Sequence, residues 1–146
     1  MMLRLSAFIL AILTSVWVMA YPSYGQRWPH RSVFYFAPTQ DKHVDQFILD
    51  TLLNDCALSE RDVVTIIVTQ DGYSKPGWIE KQFDITTLFS LFQVNPNEHT
   101  AILIGKDGAE KMRWGKTTDW HKVKQTIDNM PLRQQEMKNK ADPCSI

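Results

Sequence analysis

Cysteine is scarce in this chain of 146 residues: Cys56 and Cys144 are the only two, and they lie far apart. With no CxxC, neither a dithiol redox motif nor a zinc knuckle can be built. Four histidines (His30, His43, His99 and His121) are scattered, and no two stand at the i, i+4 spacing that puts two ligands on one helix face. No metal and no cofactor is expected. A net charge is also missing, because 16 Lys and Arg balance 16 Asp and Glu. No broad field therefore draws nucleic acid or an anionic membrane surface. There is no GxSxG nucleophile motif, and Gly105-Lys-Asp-Gly108 is too short for a phosphate-binding loop. Beyond the first 25 residues no long hydrophobic run occurs, so no membrane span is expected in the rest of the chain.

Those 25 residues have the three-part form of a secretory leader. Arg4 supplies the positive start, Leu5 to Met19 the apolar run, and Val18-Met19-Ala20 small residues for cleavage after Ala20. Ser23-Tyr24-Gly25 offers a second cleavage point, after Gly25. An uncleaved anchor is the alternative, although the run is shorter than the roughly 20 residues of a spanning helix. Export to a secreted or periplasmic location changes how the cysteines read. In an oxidising compartment two thiols invite one disulfide. The alternative is a buried thiol at Cys56 and a thiol at Cys144 in the tail.

The remaining chain alternates strand and helix signals. Ser32 to Ala37 is aromatic and β-branched, closed by Pro38, and reads as a buried strand. Asp41 caps a helix from about Lys42 to Asn54 whose apolar face is Val44, Phe47, Ile48 and Leu52. Val63 to Val68 is an almost continuous β-branched run, the pattern of a strand covered on both faces. Residues 70–82 hold two glycines and Pro76 and read as a loop, with Trp78 either a lid over the core or a partner contact. Asp84 caps a second helix, Ile85 to about Phe92, with Leu88, Phe89, Leu91 and Phe92 on its apolar side. Ala101 to Trp114 reads as a hairpin turning at Lys106-Asp107-Gly108, where Gly108 supplies the positive φ of a tight turn. A last helix begins at Thr118 or Asp119, with Trp120, Val123, Ile127 and Met130 inward and Pro131 at its end. Trp114 and Trp120 are expected to pack the core. Leu132 to Lys140 is a polar tail with one or two helical turns.

The order β-α-β-α-β-β-α is that of the thioredoxin fold, an α/β architecture with a central mixed sheet flanked by helices. In thioredoxins the redox CxxC sits where the first strand meets the first helix. Here that junction is Ala37-Pro38-Thr39-Gln40-Asp41-Lys42, without cysteine. Particular residues carry a closer resemblance: Trp28 and Arg31, Gln46, Arg61-Asp62, Leu103-Ile-Gly-Lys-Asp-Gly108 with Lys111 and Arg113, and Ile127-Asp-Asn-Met-Pro131 followed by Arg133, Glu136 and Met137. With these the chain resembles the secreted thioredoxin-like family of unknown function found in bacteria and repeated in animal matrix proteins of the sushi-repeat and equarin type. The resemblance spans about residues 28–137 and implies a thioredoxin-like domain and relatives likened to peroxiredoxins that lost their catalytic cysteine; the chain is read as one such domain over residues 26–140, followed by a tail at 141–146. Cys144 lies beyond the shared region, so the family does not imply a disulfide.

The charged residues Lys106, Asp107, Lys111, Arg113, Asp128, Arg133 and Glu136 form the one candidate site. They are read either as a lock tying hairpin to last helix or as a binding site for a small anionic ligand or a partner protein, since guanidinium forks suit carboxylate and phosphate. In the lock, Asp107 bonds its own turn, Arg133 pairs with Asp128 or Glu136, and Arg133 with Asp128 reaches Lys106 and Asp107. The expected function is that of an exported, non-catalytic binding or accessory module. A thiol-dependent oxidoreductase or peroxidase using Cys56 is the alternative, disfavoured because Cys56 follows a helix end and an acidic neighbour, both of which oppose a thiolate.

Overall fold

The first strand sets the frame because its side chains are apolar on both faces. In a computed structural model, which describes residues 28–140 and Cys144, strand β1 (Arg31–Ala37) sends Val33, Tyr35 and Ala37 to one side and Phe34 and Phe36 to the other. Such a strand is stable only in the middle of a sheet covered twice. Accordingly it pairs in parallel with β2 (Val63–Thr69) and antiparallel with β4 (Thr100–Ile104). The two-residue β3 (Ser74–Lys75) extends the sheet beyond β2, and β5 (Glu110–Trp114) extends it beyond β4, giving the order β3-β2-β1-β4-β5. The expected leader and its two expected cleavage points lie outside the described residues.

One face is covered by α1 (Lys42–Leu53), α2 (Asp55–Glu60) and α5 (Trp120–Asp128). Val44, Phe47, Leu58, Trp120, Val123 and Ile127 close the core there against Val33, Tyr35, Ile67 and Leu103. Among the described residues the other face carries α3 (Ile79–Gln82) and α4 (Ile85–Leu91). Ile79 and Phe89 pack on Phe36, Val68 and Ile102. With its parallel β1–β2 crossover and antiparallel β4–β5 hairpin, this mixed sheet flanked by helices has the topology of the thioredoxin fold. The polar helix α6 (Pro131–Asn139) follows α5. Among the described residues no helix is long and apolar enough to cross a membrane.

The expected caps form. Asp41 accepts from the His43 and Val44 N–H groups, Asp84 from Thr87 and Asp119 from Lys122, each satisfying N–H groups that a first turn otherwise leaves open. Gly108 has φ +78°, as the turn requires. Several elements depart from the expectation. Leu52 is 64% exposed, because α1 buries only Val44 and Phe47 and Leu58 of the unforeseen α2 supplies the next buried side chain. The stretch at 70–82 is not all loop. Ser74 accepts from Glu80 N–H and donates to the Pro76 carbonyl, holding β3 against the start of α3. Pro131 does not merely end a helix; it starts α6, since its missing N–H costs nothing at the first helical position.

Candidate functional site

At the end of the sheet where β1 and β2 begin, four cations and four carboxylates meet. Arg31 opens β1 and Arg61-Asp62 precedes β2, so two buried strand starts each bring an arginine. Arg31 is only 1% exposed. Its Nη atoms donate to both Glu136 oxygens at 3.1 and 3.3 Å and to the Arg61 carbonyl at 2.8 Å. Glu136 also accepts from Lys106 Nζ at 2.6 Å, and Lys106 donates to Asp62 at 2.8 Å. Arg61 forks onto Asp128 at 2.9 and 2.8 Å. Arg133, also 1% exposed, donates to the Glu60 carboxylate at 2.7 Å, to the Glu60 carbonyl at 3.2 Å and to Asp128 at 3.2 Å. Bidentate, charge-assisted bonds of this kind are the strong class.

Burial pushes the Glu136 carboxyl up, but bonds from Lys106 and Arg31 and their charges outweigh it, so the net shift is downward. The same balance holds for Asp128, where Arg61 and Arg133 prevail over burial, and for Asp62, where Lys106 does. All three stay ionised well into the acid range.

Of the seven charged residues singled out, Lys106, Asp128, Arg133 and Glu136 come together in this network. The hairpin is reached from Glu136 through Lys106, whereas Asp128 and Arg133 turn to Arg61 and Glu60. Asp107 and Lys111 pair with each other at 2.7 Å at the turn, where Asp107 also accepts the Ala109 N–H. Arg113 stands apart on β5, bonded to Glu110 and to the Phe92 carbonyl. Sequence reasoning left out Arg31, Glu60, Arg61 and Asp62. Arg31 and Arg61-Asp62 did carry a signal, as cations placed just ahead of strands; Glu60 carried none.

At the opposite end of the sheet lies the junction that holds the dithiol in thioredoxins. Here Asp41 meets His99 Nε2 at 2.7 Å while capping α1, and the buried Tyr35 hydroxyl donates to the Lys116 carbonyl at 2.7 Å. Burial pushes the Tyr35 hydroxyl up, with Asp41 adding to the shift. These groups are engaged with one another. Cys56 on α2 is bonded to Cys144, their Cα atoms 5.9 Å apart, and neither cysteine is free.

A third feature arises from the short helices of the second face. Seven residues of α4 span about 10 Å, whereas seven residues of β1 span about 23 Å. Among the described residues the helices leave a groove of about 750 Å³ on that face. Phe34, Ile66 and Ile104 floor it, and Trp28, Trp78 and Leu91 stand at its rim. Trp28 is 63% and Leu91 69% exposed, so Leu91 is not core as the periodicity predicts, and Trp78 borders the groove instead of capping the core.

No curated protein matches the chain. Among solved structures, the exposed lipoprotein thioredoxin of Streptococcus pneumoniae is similar at 14% identity and a TM-score of 0.44, over 74% of this chain and 89% of that one. A family model described as a domain of unknown function (DUF4174) matches residues 24–136, nearly all of the described domain, and the chain belongs to that family.

Proposed function

We propose that this is an exported, non-catalytic binding module, and that the groove on the second face of its sheet receives an apolar segment of a partner protein. The observation that carries the proposal is the groove over Phe34, Ile66 and Ile104, left open by the truncated helical cover. Contiguous apolar surface of this kind, rimmed by tryptophan, marks interaction sites in soluble proteins. Its polar rim is neutral, because Glu110 and Arg113 pair with each other, so a charged ligand gains nothing there. An open groove also suits a chain segment better than a small molecule, which binding sites usually enclose. The leader at residues 1–25, cleaved after Ala20 or Gly25, and the Cys56–Cys144 bond both support an oxidising compartment outside the cytoplasm. The charged network is read as a structural lock. Pairing of Cys56 with Cys144 leaves the thiol-enzyme alternative without a thiolate in the oxidised protein.

Panning a displayed random-peptide library against the oxidised protein tests this. Peptides with two or three closely spaced apolar side chains should be enriched, and Trp78→Ala with Leu91→Asp should weaken them at least tenfold, or about 1.4 kcal/mol. Both positions are exposed, so urea unfolding should be unchanged. No enrichment, or binding indifferent to the pair of substitutions, would overturn the proposal.

A further inference from the structure

The polypeptide enters the described fold beside the groove. Trp28 fixes the point of entry, because its N–H donates to the Lys106 carbonyl at 2.7 Å, and it lines the groove together with Gly105 and Gly108. Residues 21–27 lead directly into it and lie outside the described residues. Cleavage of the leader after Ala20 leaves them as Tyr-Pro-Ser-Tyr-Gly-Gln-Arg. Seven extended residues reach about 23 Å, as far as the whole of β1, whose Phe34 floors the groove. The composition of the segment suits that surface. Tyr21, Pro22 and Tyr24 are its apolar bodies, and Arg27 carries its only charged side chain. The groove matches it in charge, since Glu110 closes on Arg113 at the rim. Pro22 fixes its own φ and keeps Tyr21 out of the α region, which biases both to the polyproline II form. With three residues per turn in that form, Tyr21 and Tyr24 fall on one side. Tyrosine also fits a half-open site, with its ring inward and its hydroxyl in water.

From these observations we infer that residues 21–27 of the processed chain occupy the groove in cis through Tyr21 and Tyr24, so that a partner must displace them. That occupancy presupposes that the groove is a binding surface, as proposed above, and that cleavage follows Ala20. Cleavage after Gly25 would leave Gln26 and Arg27 alone, a reach of about 7 Å. The tether makes a weak contact sufficient. At an effective concentration of about 2 mM, typical of a short linker, a segment with a dissociation constant of about 0.5 mM fills the groove about four-fifths of the time and weakens a partner about fivefold. The position of leader cleavage thereby sets how readily the groove accepts another chain.

Mass spectrometry of the exported protein reads its first residue: Tyr21 is expected, and Gln26 would overturn the inference. In oxidised protein that begins at Tyr21, nuclear Overhauser effects are expected from the Tyr21 and Tyr24 rings to the methyl groups of Ile66 and Ile104. Tyr21→Ser combined with Tyr24→Ser should abolish them. Both positions precede the described domain, so the variant should fold as the parent does. Apolar peptides selected on this variant should bind it about fivefold more tightly than they bind the parent. Absence of the ring contacts, or equal peptide affinity in the two proteins, would overturn the inference and leave the partner reading of the groove intact. That reading fails separately, when no peptide is enriched on the variant. The ring contacts are measured without any peptide, so the two failures are told apart.

Discussion

Arg133→Met puts the lock to its most direct test. Arg133 is 1% exposed and its main acceptor, the Glu60 carboxylate, is 8% exposed in its side chain. Removing one member of a buried pair leaves the other charge desolvated, at about 3–5 kcal/mol. Partial compensation remains: Glu60 Oε2 keeps Arg61 at 3.4 Å, and Asp128 keeps the Arg61 fork. The cost therefore belongs at the low end, about 3 kcal/mol, which for a domain of this size lowers the melting temperature by roughly 12 °C. Methionine fills much of the arginine volume, so the loss is electrostatic rather than a packing void. Glu60→Leu combined with Arg133→Met should then recover to within about 1 kcal/mol of the parent, because no buried charge is stranded. Urea unfolding followed by tryptophan fluorescence, with the disulfide kept oxidised, measures both. A single-variant loss below about 1 kcal/mol, the range of exposed pairs, would refute the reasoning, as would a double variant worse than the single.

The lowered carboxyls of Glu136, Asp62 and Asp128 contribute stability that is fully present above their unfolded values, near pH 4, and is lost as pH falls through their lower folded values. The urea midpoint should therefore be flat from about pH 5.5 to 8 and drop steeply below about pH 4, and Lys106→Met should shrink the drop. Gly108→Ala places a side chain at φ +78° with no steric clash, so about 1–2 kcal/mol is lost through backbone strain alone, read from urea unfolding.

Much of the fold could be read because its signals are local. Asp41, Asp84 and Asp119 cap helices through side chains two or three residues from their targets, and Gly108 meets a requirement of its own turn. The β-branched run at Val63 to Val68 predicts a strand because such residues favour extended backbone, although Val64 stays exposed and Ile66 floors the groove. Leu52 and Leu91 mislead for a complementary reason: helical periodicity shows which residues share a face, and not whether another element lies opposite. The ion network was legible only in part. Arg31 meets Glu136 across 105 positions and Arg61 meets Asp128 across 67. A buried arginine has no pattern of its own, because its partner can come from any distance along the chain.

Helix α6 depends on such distant partners for its place in the fold. It reads Pro-Leu-Arg-Gln-Gln-Glu-Met-Lys-Asn, polar around its circumference, and its one buried residue is Arg133. A helix of nine residues without an apolar stripe is not stable alone. It is held by the Arg133 and Glu136 contacts and the Gln134 amide on the Asp128 carbonyl, and by the Cys56–Cys144 bond beyond its end. Charge contacts are short-ranged and lose to solvation once the helix tilts away, whereas the covalent tether keeps an undocked helix close enough to return. Reduction should therefore loosen α6 before it loosens the sheet. Amide exchange of residues 134–139 should quicken at least tenfold more than that of β1, equivalent to about 1.4 kcal/mol of local stability. Equal acceleration in both elements would mean that α6 opens only with the whole domain, and that the disulfide acts on the unfolded chain instead.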